Sequence, residues 1–267
     1  MTDLLFLKLG GSLLTDKTGI EAARTDVLAR LAQEIAEARA ARPDLQLVLG
    51  HGSGSFGHVA GARHGTRQGV QTAGQWFGFA EVSAAALRLN RLVVEALLAA
   101  GVPAMSFAPS ALVTCVDGRI TTIALHPIEQ ALQAGLLPVT HGDVAFDAVR
   151  GGTIVSTEEV MMALAAAGLR PSWLLLAGET EGVYDLHGRV IPHISAATLS
   201  QVEAALGGSR GADVTGGMAS KVQSMLALTA QFSTLSVRVF SGLHPGTLAQ
   251  TLCQPDAANG TTIRHGA

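Results

Sequence analysis

Three lysines carry the first chemical signal in this sequence. Of its 18 basic residues, 15 are arginine, and Lys8, Lys17 and Lys221 make up the whole lysine content. All three stand in or beside glycine-rich turns. An ammonium on a flexible stem can follow a moving point charge, which the planar arginine fork does less well. The turns themselves suit anions. Lys8-Leu9-Gly10-Gly11-Ser12 lets the backbone approach a phosphate with no Cβ in the way, and its successive N–H groups can form a nest. His51-Gly52-Ser53-Gly54-Ser55-Phe56-Gly57-His58 combines glycines, two hydroxyls and a histidine at either end, a donor-rich segment suited to a dianion at a helix start. Asp213 to Lys221 opens a helix with Gly216 and Gly217 and places Lys221 about one turn in. No G-x-x-x-x-G-K-[ST] segment occurs, which excludes a Walker-type P-loop. Each turn alone could be an ordinary connection; the three together argue for phosphoryl transfer.

These turns need rigid elements behind them. LLFLKL (4–9) and LQLVLG (45–50) are apolar runs ended by glycine and read as buried strands. Between them Thr25-Asp26 offers an N-cap for a helix with Val27, Leu28, Leu31 and Ile35 on one face. Further on the pattern predicts a long helix over about 74–100, a strand in VPAMSF, a hairpin at Asp117-Gly118 and a short helix from Pro127. LLPVTHGD (136–143) reads as a central strand. Then follow a helix at 157–167, a strand at 173–177, helices near 196–206 and 217–231, and a last strand at 236–240. Strands alternating with helices imply an α/β fold around a mainly parallel sheet, with ligands beyond the carboxyl ends of its strands. Residues 61–72 read as a mobile loop.

The bulk numbers narrow the class. A chain of 267 residues has room for one large domain or two packed lobes. Charges such as Arg91, Glu95 and Glu159 break every apolar stretch before spanning length, and the start of the chain lacks the features of an export signal, so a cytoplasmic protein away from membranes is expected. Cys115 and Cys253 show no metal-ligand spacing and are too few for a disulfide framework. A net charge of −3 without a basic block gives no footprint for nucleic acid.

KLGGSLLTDK (8–17), GHGSGSFGH (50–58), PVTHGDVAFD (138–147), GETEGVYD (178–185) and DVTGGMASK (213–221) together resemble the isopentenyl phosphate kinases of the amino acid kinase family, in order and spacing over essentially the whole chain. The resemblance implies an amino acid kinase-like three-layer sandwich forming one domain over 1–267, with a phosphate-acceptor lobe to about 150 and a nucleotide lobe beyond. It implies ATP and Mg2+ as cofactors, isopentenyl phosphate as acceptor and a homodimer, with no metal ligand assigned to the protein. By the same resemblance Lys8 and Lys221 would contact the ATP phosphates and the migrating group, Lys17 would stabilise the transition state, and Asp143 would orient the lysines, with Asp147 open as a sharer of that role. Gly10, Gly11, Ser12 and Gly54 would line the phosphates; Glu179, Gly182, Val183, Tyr184 and Gly216 would bound the nucleotide. His58 would bind the acceptor phosphate, with Ser53, Gly54 and Thr157 beside it. Ser53 replaces a usual glycine, STEE (156–159) a usual SGDD, and GETEG a usual TDVDG.

The chemistry fits this inventory. A phosphate monoester has a second pKa of about 6, so its oxygen can attack without a general base. What the site must do is hold two repelling anions in line. For a hydrocarbon tail, Trp76, Phe77, Phe79 and Val82 at the start of the long helix could enclose five carbons, although for any one of them ordinary core packing is the better explanation. A same-fold kinase for a phosphonate of the fosfomycin type or a longer isoprenyl phosphate, and a non-catalytic nucleotide-binding member, stay open at this point.

Overall fold

A computed structural model of the chain describes residues 3–16, 18–199, 202, 217–256 and 259–266, with His58 and residues 217–219 described in backbone only. An eight-stranded sheet forms the centre. Its order is β10 (His193–Ile194), β12 (Thr261–Ile263), β11 (Ser236–Ser241), β9 (Trp173–Gly178), β1 (Asp3–Leu9), β2 (Leu45–His51), β6 (Leu137–His141) and β3 (Ala104–Ser106). All pairings are parallel except β11 with β12. A second sheet of four, ordered β5 (Arg119–Ile123), β4 (Val113–Val116), β7 (Asp143–Asp147) and β8 (Gly151–Val155), is mostly antiparallel.

The apolar run of β1 is continuous because both faces of the strand are covered. Leu5, Leu7 and Leu9 join one core with Leu28, Leu31 and Ile35 of α2 (Thr25–Ala41), Val93 and Leu97 of α4 (Ala73–Ala99) and Leu248 and Leu252 of α9 (Thr247–Cys253). Phe6 points the other way. There it joins Ile128 of α6 (His126–Gln133), Val160 and Leu164 of α7 (Thr157–Ala167) and Val222 and Met225 of α8 (Gly217–Gln231). Helices on both faces of a mainly parallel sheet make the expected three-layer α/β sandwich.

Several local expectations need correction. Residues 61–64 complete α3 (Gly54–His64), and the exposed stretch beyond it is anchored by buried Thr66 and Val70, with the Val70 N–H donating to the Arg150 carbonyl at 2.8 Å. The N-cap of α2 is Arg24, with no side-chain cap. β6 lies one strand from the sheet edge, and β12 follows β11 as the last strand. Most of the helix expected near 196–206 lies outside the described residues. The Asp117-Gly118 hairpin is present, both residues having positive φ (49° and 77°) as a type I′ turn requires. Asp147 supports it, its carboxylate accepting from the N–H groups of Asp117, Gly118, Val149 and Arg150. Those bonds outweigh partial burial and lower its pKa. They commit Asp147 to the turn, not to the lysines.

Candidate active site

Five connections meet along the carboxyl edge of the main sheet: those after β1, β2, β6, β9 and β11. The first two pack backbone to backbone. A Cβ on Gly11 would come within 2.5 Å of the Gly54 nitrogen, and one on Gly54, whose φ is +50°, within 2.2 Å of Thr15 Oγ1. Glycine is required here by the approach of the two loops as well as by any ligand. This packing also decides which donors remain. The Gly10 N–H donates to the Ala177 carbonyl (2.8 Å), the Gly52 N–H to that of Leu9 (3.0 Å) and the Ser55 N–H to Thr15 Oγ1 (2.9 Å). Gly10 is therefore a structural link between β1 and β9, and not the phosphate donor expected. Gly11 and Ser12 open the single-turn α1 (Gly11–Leu14), and Ser53 and Gly54 open α3, so their N–H groups have no intrahelical acceptor.

Lys8 shares the Phe6 face of β1, beneath the start of α7. That helix begins with a capping box: Ser156 accepts from the Glu159 N–H, and Glu159 accepts from the Ser156 N–H. Glu158, inside this first turn, forms an ion pair and hydrogen bond with Lys8 Nζ, the two side chains being 20% and 17% exposed. Burial pushes the Glu158 carboxyl up, but the Lys8 charge and hydrogen bond, helped by the charge of Lys221, hold it below the ordinary glutamate range. Lys221, exposed on α8, therefore acts on the same carboxylate as Lys8. Lys17 and Gly216 lie outside the described residues, as does the side chain of His58.

Asp143 occupies a different place. Its buried carboxylate accepts from the N–H groups of Ser110 (3.2 Å) and Val144 (2.8 Å). Burial raises its pKa. It ties β7 to α5 (Pro109–Leu112), and the carboxylate that meets Lys8 is Glu158. The acidic pair of STEE, inside a capping box before an apolar run, was the available signal for it.

Thr157 is buried and donates its hydroxyl to the His51 carbonyl at 2.6 Å, which ties the start of α7 to the end of β2. His51 and His141 were not anticipated as a pair: buried at the ends of β2 and β6, their rings stack with centroids 5.4 Å apart. Burial, with the neighbouring His51, pushes His141 down to about 3, and burial also lowers His51, so both are neutral at pH 7.

On the β9 side, Glu179 pairs with Arg24 (3.2 Å) and Glu181 with His244 (2.7 Å). Val183 is buried and donates its N–H to Thr261 Oγ1 (2.8 Å), while Tyr184 is exposed and its hydroxyl accepts from the Glu181 N–H (3.1 Å). Gly182 packs against Thr261, where a Cβ would come within 2.7 Å of Oγ1.

Phe79 sits in a small separate core with Val70, Val82 and Val144, beside Ala60 of α3. It contacts the more exposed rings of Trp76 and Phe146 at 5.2 and 5.3 Å. At 7% exposure it is a packing residue in the first instance. Phe79→Ala is expected to cost about 3 kcal/mol of stability, checked by the midpoint of denaturant unfolding. Chain-length preference of the folded variant reports whether the vacated space also opens to substrate.

The class of protein is now defined. The model of the amino acid kinase family matches residues 3–241, and the chain belongs to that family. Its similarity is more particular than that. It is 39% identical to isopentenyl phosphate kinase of Haloferax volcanii over 252 residues, covering 92% of this chain and 98% of the relative. It is 31% identical to isopentenyl phosphate kinase of Methanothermobacter thermautotrophicus over 260 residues, covering 93% and 95%. Among solved structures, an isopentenyl phosphate kinase superposes with a TM-score of 0.81 at 27% identity, covering 97% of this chain and 99% of the other.

Proposed function

We propose that this chain transfers the γ-phosphoryl group of ATP to isopentenyl phosphate, giving isopentenyl diphosphate and ADP. The observation that carries the reading is the ion pair of Lys8 with Glu158 beside two interlocked glycine loops, and the charge of Lys221 acts on the same carboxylate. An attacking phosphate oxygen breaks the bond between the γ-phosphorus and the β,γ-bridging oxygen, and the charge that grows between donor and acceptor needs fixed cations and N–H donors. Lys8, held by Glu158, and Lys221 would supply the cations; Gly11, Ser12, Ser53 and Gly54 would supply N–H groups. The acceptor is already ionised at pH 7, so no base is needed. His58 and Lys17 would act on the acceptor phosphate and the transferred group. The segment from Glu179 to Tyr184, with Gly216, would border the nucleotide, and residues to about 150 would form most of the acceptor lobe.

Mg2+ bound to a triphosphate takes most of its ligands from phosphate oxygens and water. On that ground the cation would arrive with the nucleotide. When bound, Mg2+ would neutralise charge on the phosphates. A homodimer is the proposed assembly: the outer face of α4 leaves Phe77, Leu87 and Leu98 exposed, apolar surface that a second copy would cover. Sedimentation equilibrium reports the assembly. No helix among the described residues is long and apolar enough to cross a membrane.

The deciding experiment is ADP formation with isopentenyl phosphate beside fosfomycin and longer isoprenyl phosphates. Efficient turnover of isopentenyl phosphate is expected. A clear preference for either alternative acceptor, or no turnover with any, would overturn the assignment.

A further inference from the structure

We infer that Thr157 is a positioning residue for phosphoryl transfer, its hydroxyl anchoring the start of α7 to the sheet so that Glu158 meets Lys8. The inference rests on the kinase reading above and deepens it. Thr157 uses both branches of its side chain. Oγ1 donates to the His51 carbonyl at 2.6 Å, a bond across 106 residues, and that carbonyl also accepts from the Gly142 N–H at 3.3 Å. One oxygen thus joins the ends of β2 and β6 to the first residue of α7. The methyl lies on bare backbone: a Cβ on Gly50 would come within 2.4 Å of Thr157 Cγ2 and 2.6 Å of Met161 Cε.

Gly50 is the β2 partner of Lys8. Thr157 therefore rests on the strand position beside Lys8, while the next residue in its own chain supplies the carboxylate that Lys8 bonds. The capping box of Ser156 and Glu159 closes the helix start on itself and leaves its placement on the sheet to other contacts. The Thr157 bond provides one at the position where an error passes directly to Glu158. A misplacement of about 1 Å at reacting groups can cost on the order of 10²-fold in rate.

The test compares Thr157→Val, which keeps the shape and loses the donor, with Thr157→Ser, which keeps the donor and loses the methyl. Thr157→Val is expected to lower kcat with isopentenyl phosphate by roughly 10- to 100-fold, with KM for both substrates little changed, and Thr157→Ser to restore most of the turnover. Added to Glu158→Gln, Thr157→Val should cost almost nothing further, because the two residues act as one unit. Carbon-13 NMR of the Glu158 carboxyl should show its titration moving up in Thr157→Val and staying in place in Thr157→Ser.

A raised KM for isopentenyl phosphate would make Thr157 a substrate contact instead. Equal losses of turnover in both variants would make it a packing residue, and full additivity with Glu158→Gln would show that it acts elsewhere; each outcome overturns the inference. The Glu158 titration needs no acceptor. If the wild-type chain fails to use isopentenyl phosphate, the acceptor assignment falls, and that titration still decides Thr157.

Discussion

Replacing Lys8 with methionine is expected to lower turnover by on the order of 10²- to 10³-fold, the range found when a fixed donor to transition-state charge is removed. Methionine retains much of the apolar stem, so packing on the Phe6 face of β1 should persist while the ammonium is lost. The variant also leaves Glu158, largely buried, with only the more distant charge of Lys221. Its stability should therefore fall in a pH-dependent way. In the wild type the Glu158 pKa is depressed on folding, so the pair's contribution is fully present above the unfolded value near 4.5 and is lost as pH falls through the lower folded value. Without Lys8 the buried carboxylate resists ionisation, and the stability gap between the two proteins should widen as pH rises and shrink in acid. Denaturant unfolding at several pH values, alongside steady-state kinetics, measures both effects. Adding Glu158→Gln should recover stability without recovering turnover. Near wild-type kcat in Lys8→Met would remove the lysine from the chemistry and leave the ion pair as a purely structural bond.

His58→Ala is the second large effect, and it should fall on the acceptor alone. The residue lies one turn into α3, whose start carries Ser53 and Gly54. A hydrogen bond to a charged group contributes about 1.5–3 kcal/mol, so kcat/KM for isopentenyl phosphate should drop by roughly 10- to 150-fold or more. His58→Asn and His58→Gln keep an N–H donor and should retain part of the activity. Because the acceptor needs no base, the loss should not be restored at high pH. Titration with a non-hydrolysable ATP analogue should give an unchanged affinity. Acceptor affinity and turnover near wild type in His58→Ala would reduce the histidine to a turn residue and withdraw the main sequence support for a phosphate acceptor.

What was legible in the sequence is what local chemistry controls. β1, β2, β9 and β11 are short apolar runs bounded by glycine or turn residues, and α2, α4 and α7 carry apolar residues at helical spacing, so each showed in its own stretch of chain. α3 did not. Three glycines in GSFGHVAGARH lower its intrinsic helix preference, and its place is taken by packing on α4, visible only in three dimensions. β12 is three residues long, too short for a pattern, and exists because β11 offers it an edge.

The same division runs through the site. Composition and spacing determined that phosphate chemistry gathers where lysine meets glycine, because few residue types can cradle and neutralise an anion at close range. They did not determine which carboxylate serves Lys8. Asp143 and Glu158 lie 135 and 150 residues away from it along the chain, and the choice depends on which face of β1 Lys8 shares with Phe6 and which helix covers that face. Nor could they assign Gly10 and Thr157, whose polar groups are consumed by Ala177 and His51. A motif states which groups are present; only the folded chain decides which of their hydrogen bonds are already spent, since the partners come from strands and helices distant in sequence.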